Sequence, residues 1–295
     1  MSPAPTPQIS EQLQQLPQAL AAAAARHETP CGSGAMVWHA WIPEVPNDAL
    51  APLLLFHGGS GSWTHWLRNI PALVASGRRV YVPDLPGFGD SARPGQGRDA
   101  DAMPECMEQG LQLLLAGRAC DVVGFSFGGM VAGFLATQFP ARVARLVLVG
   151  APGLGIKPEQ PVHLDGWRHL ADPEQRNAVH RGNLAALMLH NPAAINDLAL
   201  GLHVANVLRD RMPGRRLART DALAHLLPGL QCPLYAIYGR EDALYRGRTD
   251  LLGPALQQTG DFRGLTFIEA AGHWVQFEQA QAFNDALLAV LNAAP

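Results

Sequence analysis

An α/β fold, with a mostly parallel central sheet covered by helices on both faces and one inserted helical segment, is what this chain of 295 residues predicts. Three observations carry that reading. Apolar, β-rich runs recur along the chain with helix-patterned stretches between them, the alternation of a parallel sheet covered on both sides. The alternation stops once, between Pro152 and about Pro228, where Pro158, Pro161, Pro173, Pro192 and Pro213 break the chain into short helical pieces. Gly124-Phe125-Ser126-Phe127-Gly128 stands between the apolar run at 119–123 and a helix-compatible stretch from Gly129, a G-x-S-x-G in its strand, turn and helix setting. A serine at such a turn sits on strained backbone, and the flanking glycines leave strand and helix room to approach. Its hydroxyl is presented rather than buried.

Taken in order, residues 1–30 read as a Pro/Gln-rich extension with one short helix, where Leu13, Leu16 and Leu20 fall at helical spacing. The extension is expected to pack on the domain. A dimer contact is the alternative use for it, so a homodimer stays open. Strands are expected near 35–42, 52–57, 79–83, 119–124, 144–149, 233–238 and 264–269, each an apolar run of strand length. Helices are expected near 63–76, 102–117, 127–139, 248–259 and 275–292. The core therefore falls in two parts, 31–151 and 229–295, around an inserted helical lid at 152–228. The runs at 183–189 and 197–208 form helices apolar on one side, so the insertion is not an unstructured loop.

Composition excludes several classes of partner. A formal net charge of −3 with 16% charged and 48% hydrophobic residues is ordinary for a globular protein and gives no basic field for nucleic acid. Cys31, Cys106, Cys120 and Cys232 are widely spaced with no C-x-x-C pair, so neither zinc nor a disulfide framework is indicated and reduced cytoplasmic thiols are expected. The first thirty residues lack a basic n-region and an uninterrupted apolar stretch, which argues against a secretion signal. No run approaches a membrane span. Six of the eleven histidines, His163, His169, His180, His190, His203 and His225, fall in the insertion without metal-ligand spacing, so no metal or other cofactor is expected.

A serine hydroxyl is a weak nucleophile unless a base takes its proton, and a histidine does this well when a carboxylate orients it. His273 follows the last predicted strand in Ala271-Gly272-His273-Trp274, and Asp242 sits in the loop after the strand before it, giving the chain order Ser126, Asp242, His273. Glu241 is adjacent to Asp242 and competes for the role of acid. His57 is read as ordering its own loop, and Asp84 and Asp90 as fixing theirs.

With these residues in place, the chain resembles the α/β-hydrolase family from about residue 34 to 293. Gly124–Gly128 stands as nucleophile elbow, Gly239-Arg240-Glu241-Asp242 as acid loop and Ala271–Trp274 as histidine loop. Phe56-His57-Gly58-Gly59 is similar to the family's oxyanion loop, and the insertion falls where the family carries its cap. The resemblance implies Gly59 and Phe127 as backbone donors to the oxyanion. The loop Gly150-Ala151-Pro152-Gly153 has no acid at the family's other common position, which favours Asp242. Within the family, Ser126-Phe127-Gly128-Gly129 and His273-Trp274-Val275-Gln276-Phe277-Glu278 resemble the hydrolases that cleave carbon–carbon bonds of aromatic ring-fission products. Those usually hold the substrate carboxylate with a cap arginine; here His203 occupies that place, with Arg209 and Arg211 nearby, and a neutral imidazole holds a carboxylate less firmly. The expectation is a cofactor-independent serine hydrolase of a small ester, thioester or lactone, with His203 and Trp274 as substrate contacts. Carbon–carbon hydrolysis, perhydrolase or haloperoxidase activity, and a binding module without turnover are the alternatives.

Overall fold

Parallel strands need a long crossover after each one, and this chain supplies helices at every crossover. The computed structural model describes residues 11–293. In chain order its elements are helix α1 (Glu11–Ala23), strands β1 (Ala25–Cys31), β2 (Gly34–Trp41) and β3 (Leu53–Phe56), then α2 (Ile70–Ala75), β4 (Val80–Pro83), α3 (Pro104–Leu115), β5 (Cys120–Phe125), α4 (Phe127–Gln138) and β6 (Val143–Val149). There follow α5 (Pro173–Asn183), α6 (Asp197–Leu208) and α7 (Ala222–Leu226), and the chain returns to the sheet as β7 (Leu234–Gly239), α8 (Leu252–Leu256), β8 (Phe262–Ile268), α9 (Val275–Glu278) and α10 (Ala280–Asn292). The sheet order is β1-β2-β4-β3-β5-β6-β7-β8. β1, β2 and β4 pair antiparallel, and β4, β3 and β5 to β8 pair parallel.

Successive strand residues point to opposite faces, so each central strand feeds two apolar layers. Leu54, Phe56, Val122, Leu146 and Leu148 pack on one side with Met107, Leu111, Met130 and Leu135 of α3 and α4. Leu53, Leu55, Val123, Val147 and Val149 pack on the other with Ile70, Leu73, Phe283 and Leu287 of α2 and α10. Burying each such side chain stabilises the fold by about 1.5–3 kcal/mol, an upper estimate because the unfolded chain is already partly compact. β5 lies inside both layers, and its C-terminal end delivers Ser126 to the middle of the sheet's edge.

The structure departs from the sequence reading at four places. Residues 25–30, read as extension, run on with Cys31 as β1, an edge strand on which Thr29 and Cys31 are the buried residues, so no apolar alternation marks it. Gly32 at φ +56° turns that strand into β2 through a two-residue hairpin, and Thr29 accepts a hydrogen bond from the Trp38 indole at 2.9 Å. The helix expected at 63–76 is a 3₁₀ turn, Trp63–Trp66, followed by α2, because Pro71 restarts the helix. The helix expected at 248–259 shortens to α8 after a 3₁₀ turn, and the last helix divides into α9 and α10. The short helix expected near Leu13 to Leu20 is α1, whose Leu20 carbonyl accepts the Trp41 indole N–H at 3.0 Å. No helix among the described residues is long and apolar enough to cross a membrane.

Candidate active site

Ser126 stands between β5 and α4 at φ +51° and ψ −120°, a backbone conformation that a side-chain-bearing residue adopts only when its surroundings impose it. The surroundings here are two glycines. A Cβ on Gly124 would lie 2.5 Å from the Gly128 carbonyl oxygen, and one on Gly128 would lie 2.5 Å from the His57 carbonyl oxygen. Both obstacles are backbone, so strand, helix and the loop after β3 meet at a distance that only glycine permits.

The Ser126 hydroxyl lies 2.8 Å from His273 Nε2, and His273 Nδ1 lies 2.9 Å from Asp242 Oδ2. An ionised carboxylate only accepts, so Nδ1–H donates to Asp242, and Nε2 is left to accept the serine O–H. Asp242 is fully buried and its other oxygen accepts the Leu244 N–H at 2.9 Å. Gly150, at φ +53°, closes the back of this pair: a Cβ there would lie 3.2 Å from both Asp242 Oδ2 and His273 Nδ1. The structure thus joins three residues that the sequence reading placed at three strand ends.

The Gly59 and Phe127 backbones flank the serine, a Cβ on Gly59 lying 3.6 Å from that of Phe127. Phe127 opens α4, so its N–H falls outside the helical ladder, and neither N–H donates to a protein acceptor among the described residues. His57 orders the loop that carries Gly59. Its Nε2 accepts the Leu85 N–H at 2.8 Å and its Nδ1–H donates to the Gly58 carbonyl at 2.8 Å. His65 Nδ1 accepts the Gly58 N–H at 3.2 Å. Burial holds His57 below the ordinary histidine pKa, and burial followed by neighbouring histidines holds His65 well below it, so both stay neutral. Asp84 is a loop fastener, accepting the N–H groups of Trp63 and Asp90.

A cavity of about 610 Å³ opens at Ser126, with Gly59, Phe127, Leu187, Met188, Asp210 and Arg215 on its walls. A second, of about 660 Å³, shares Pro152, Val162, Ala218, Arg219 and Leu244 with it, so the two are contiguous. The expected substrate contacts are not on these walls. His203 packs its ring against His180 with centroids 5.2 Å apart, and burial, then His180, brings its pKa down to about 4. Trp274 is buried, stacked on Phe277, and donates its indole N–H to the His65 carbonyl at 3.0 Å. Arg209 pairs with Asp90 and Arg211 donates to the Gly89 and Ser91 carbonyls, so neither faces the cavity. On the cavity that opens at Ser126 the fixed cations are Arg215 and Arg219, both beyond α6, and Lys157 joins Arg219 on the second cavity.

Two further fastenings went unseen in the sequence. Glu278 accepts the N–H groups of Gly272, His190 and Asn191, and Trp274 N–H donates to Met188 at 2.7 Å, which ties the His273 loop to the segment between β6 and β7. Ser60 donates to Asp210, and Asp210 pairs with Arg215. A carboxylate at Glu278, five residues past His273, is the only signal the sequence offered. Among the described residues no group of three or more metal-ligating side chains is assembled.

This constellation, a hydroxyl, an imidazole and a carboxylate in hydrogen-bonded file beside two N–H groups, is equipped for nucleophilic attack on a carbonyl. Comparisons with known proteins identify the fold family. A family model described as alpha/beta hydrolase fold matches residues 51–192. The 2-hydroxymuconate semialdehyde hydrolase of Pseudomonas sp. (strain CF600) is 30% identical over 250 residues, covering 79% of this chain and 83% of that protein. The dihydrolipoyllysine-residue acetyltransferase component of the acetoin cleaving system of Pseudomonas putida is 31% identical over 84% of this chain, which spans 65% of that protein's length. Among solved structures, carboxylesterase CesB of Bacillus subtilis superposes with a TM-score of 0.73 at 18% identity, over 96% of this chain and 98% of that one, a likeness of fold.

Proposed function

The chain belongs to the α/β-hydrolase fold family, and from that premise we infer that it is a serine hydrolase cleaving a small carboxylic ester, thioester or lactone through an acyl-enzyme. The observation that carries the reading is the file Ser126–His273–Asp242, with distances of 2.8 and 2.9 Å, opening on the cavity. In this reading Ser126 Oγ attacks the carbonyl carbon while His273 Nε2 takes its proton, and Asp242 holds the imidazole in the right tautomer and offsets the charge it gains. The Gly59 and Phe127 N–H groups receive the developing oxyanion. His273 then returns the proton to the leaving alcohol or thiol, and a water, activated by the same imidazole, releases the acid. Residues 152–228 act as the cap over this chemistry.

A panel of neutral esters of rising acyl length, run with a serine-directed fluorophosphonate probe, tests the reading. Wild type turns over at least one ester and takes up the probe; Ser126→Ala loses turnover by about 10³-fold or more and is not labelled, while remaining folded. Ester turnover near wild type in Ser126→Ala overturns it. A second reading, carbon–carbon hydrolysis of an acidic ring-fission product, is favoured by one observation: Arg219 lines both cavities and has no ion-pair partner among the described residues. A preference of the wild type for a vinylogous 1,5-diketone acid over every ester in the panel would select it.

A further inference from the structure

Gly59 lies between two anchors of different origin. On its N-terminal side, Gly58 is held by His57 and His65, both buried in the core. On its C-terminal side, Ser60 is held from outside the core. Its backbone sits at φ +50°, and its hydroxyl donates to Asp210 Oδ2 at 2.5 Å, across 150 residues of chain. Asp210 follows α6 in the inserted segment and is itself fixed. The Met212 N–H donates to its Oδ1 at 2.8 Å, and Arg211 N–H and guanidinium bind the carbonyls of Gly87 and Gly89 at 3.0 Å. Ser60, not Asp210, is therefore the member that yields when the contact is lost.

Arg215 completes the arrangement. It grips both oxygens of Asp210 at 2.9 Å, and its guanidinium lies over the rings of Phe88 and Phe127, 4.8 and 5.3 Å from their centroids. An unpaired carboxylate on this wall would oppose negative charge growing at the carbonyl oxygen; the bidentate guanidinium offsets it. Burial alone would raise the Asp210 pKa, but the hydrogen bonds and charge of Arg215, with those of Ser60 and Met212, hold it below the ordinary carboxylate range. The carboxylate thus stays ionised and able to accept the Ser60 hydroxyl.

Resting on the serine-hydrolase reading, we propose that Asp210, with Arg215, is a positioning residue that aims the Gly59 N–H at the oxyanion by holding Ser60, so that the site is complete only when the segment after α6 is seated on the core. Donors of this kind contribute through placement, and a small displacement weakens them steeply.

The test compares an oxygen ester with its thionoester in wild type and in Ser60→Ala, which removes the hydroxyl alone. Sulfur accepts hydrogen bonds weakly, so thionoester turnover depends less on the donors' aim. Ser60→Ala is expected to lower kcat for the oxygen ester by about tenfold or more with KM within about twofold, and thionoester kcat by less than about threefold. Thermal unfolding should stay cooperative, with the midpoint lowered by no more than several degrees. Asp210→Asn, which keeps an acceptor but loses the ion pair, should fall in the same direction; if it fails to fold, Ser60→Ala decides alone. Wild-type kcat in Ser60→Ala, or equal losses on both esters, overturns the proposal. Either result leaves the Ser126 reading intact, whereas turnover persisting in Ser126→Ala sinks that reading separately.

Discussion

Glu241 and Asp242 are chain neighbours of like charge, yet the backbone sends them to different environments. Asp242 is fully buried against His273 and takes the Leu244 N–H on its free oxygen. Glu241 is half-buried, and its backbone N–H pairs with the Ala271 carbonyl. A carboxylate that orients an imidazole must touch it, so Asp242→Asn is expected to lower kcat by about 10³-fold or more, because an amide does not offset the imidazolium and presents the wrong tautomer. Glu241→Gln should change kcat by less than about threefold, because the imidazole is hydrogen-bonded to Asp242 and not to Glu241. Steady-state kinetics on the ester with the highest turnover checks both, and reversed losses would make Glu241 the acid. His203 illustrates the opposite outcome at the same scale: its place in the sequence suggests a substrate contact, and its ring packs on His180 instead.

At the scale of elements, the turn between β5 and α4 is rigid because three backbone segments converge on two glycines. Gly124→Ala places a methyl 2.5 Å from the Gly128 oxygen and 2.6 Å from the Gly129 Cα, where no side chain can rotate away. Overpacking of that kind costs about 1–3 kcal/mol. Gly201, inside α6, is exposed and has nothing within 4 Å of its would-be Cβ, so Gly201→Ala should stabilise the protein by about 0.5–1 kcal/mol through helix propensity. Urea unfolding of the two variants beside wild type measures both, and shifts of the same sign would contradict the close approach at the elbow.

Over the whole molecule, stability should depend on pH through histidines kept neutral by burial. His57 and His65 have pKa values held below the ordinary 6.5. Between that value and their lower folded values the unfolded chain binds protons that the folded chain does not, so stability is fully present about a unit above pH 6.5 and is lost as pH falls through and below it. Each group contributes a slope of up to about 1.4 kcal/mol per pH unit. Urea unfolding at pH 8.5, 7.5 and 5.5 is expected to give nearly equal stabilities at the first two and a clear drop at the third. A flat profile to pH 5.5 would mean that these histidines charge without cost. The loss would reach the site as well, since both histidines hold the loop that carries Gly59.

Features written into short stretches of chain are legible without any knowledge of packing. Strand and helix alternation follows from local apolar runs; the elbow follows from Gly124, Ser126 and Gly128; and strand-end loops place Asp242 and His273 in order. Local geometry suffices there because backbone sterics act over a few residues. β1 escaped because an edge strand needs few apolar residues and is recognised by its partner, β2. Long-range packing sets which arginines face the cavity, fastens the His273 loop through Glu278 and brings Asp210 to Ser60. These contacts join the inserted segment to the core, and the seating of α5, α6 and α7 depends on packing summed over many side chains. Arg209, Arg211 and Arg215 all follow the end of α6 within a few residues, and nothing local in the sequence says which of them reaches the cavity wall.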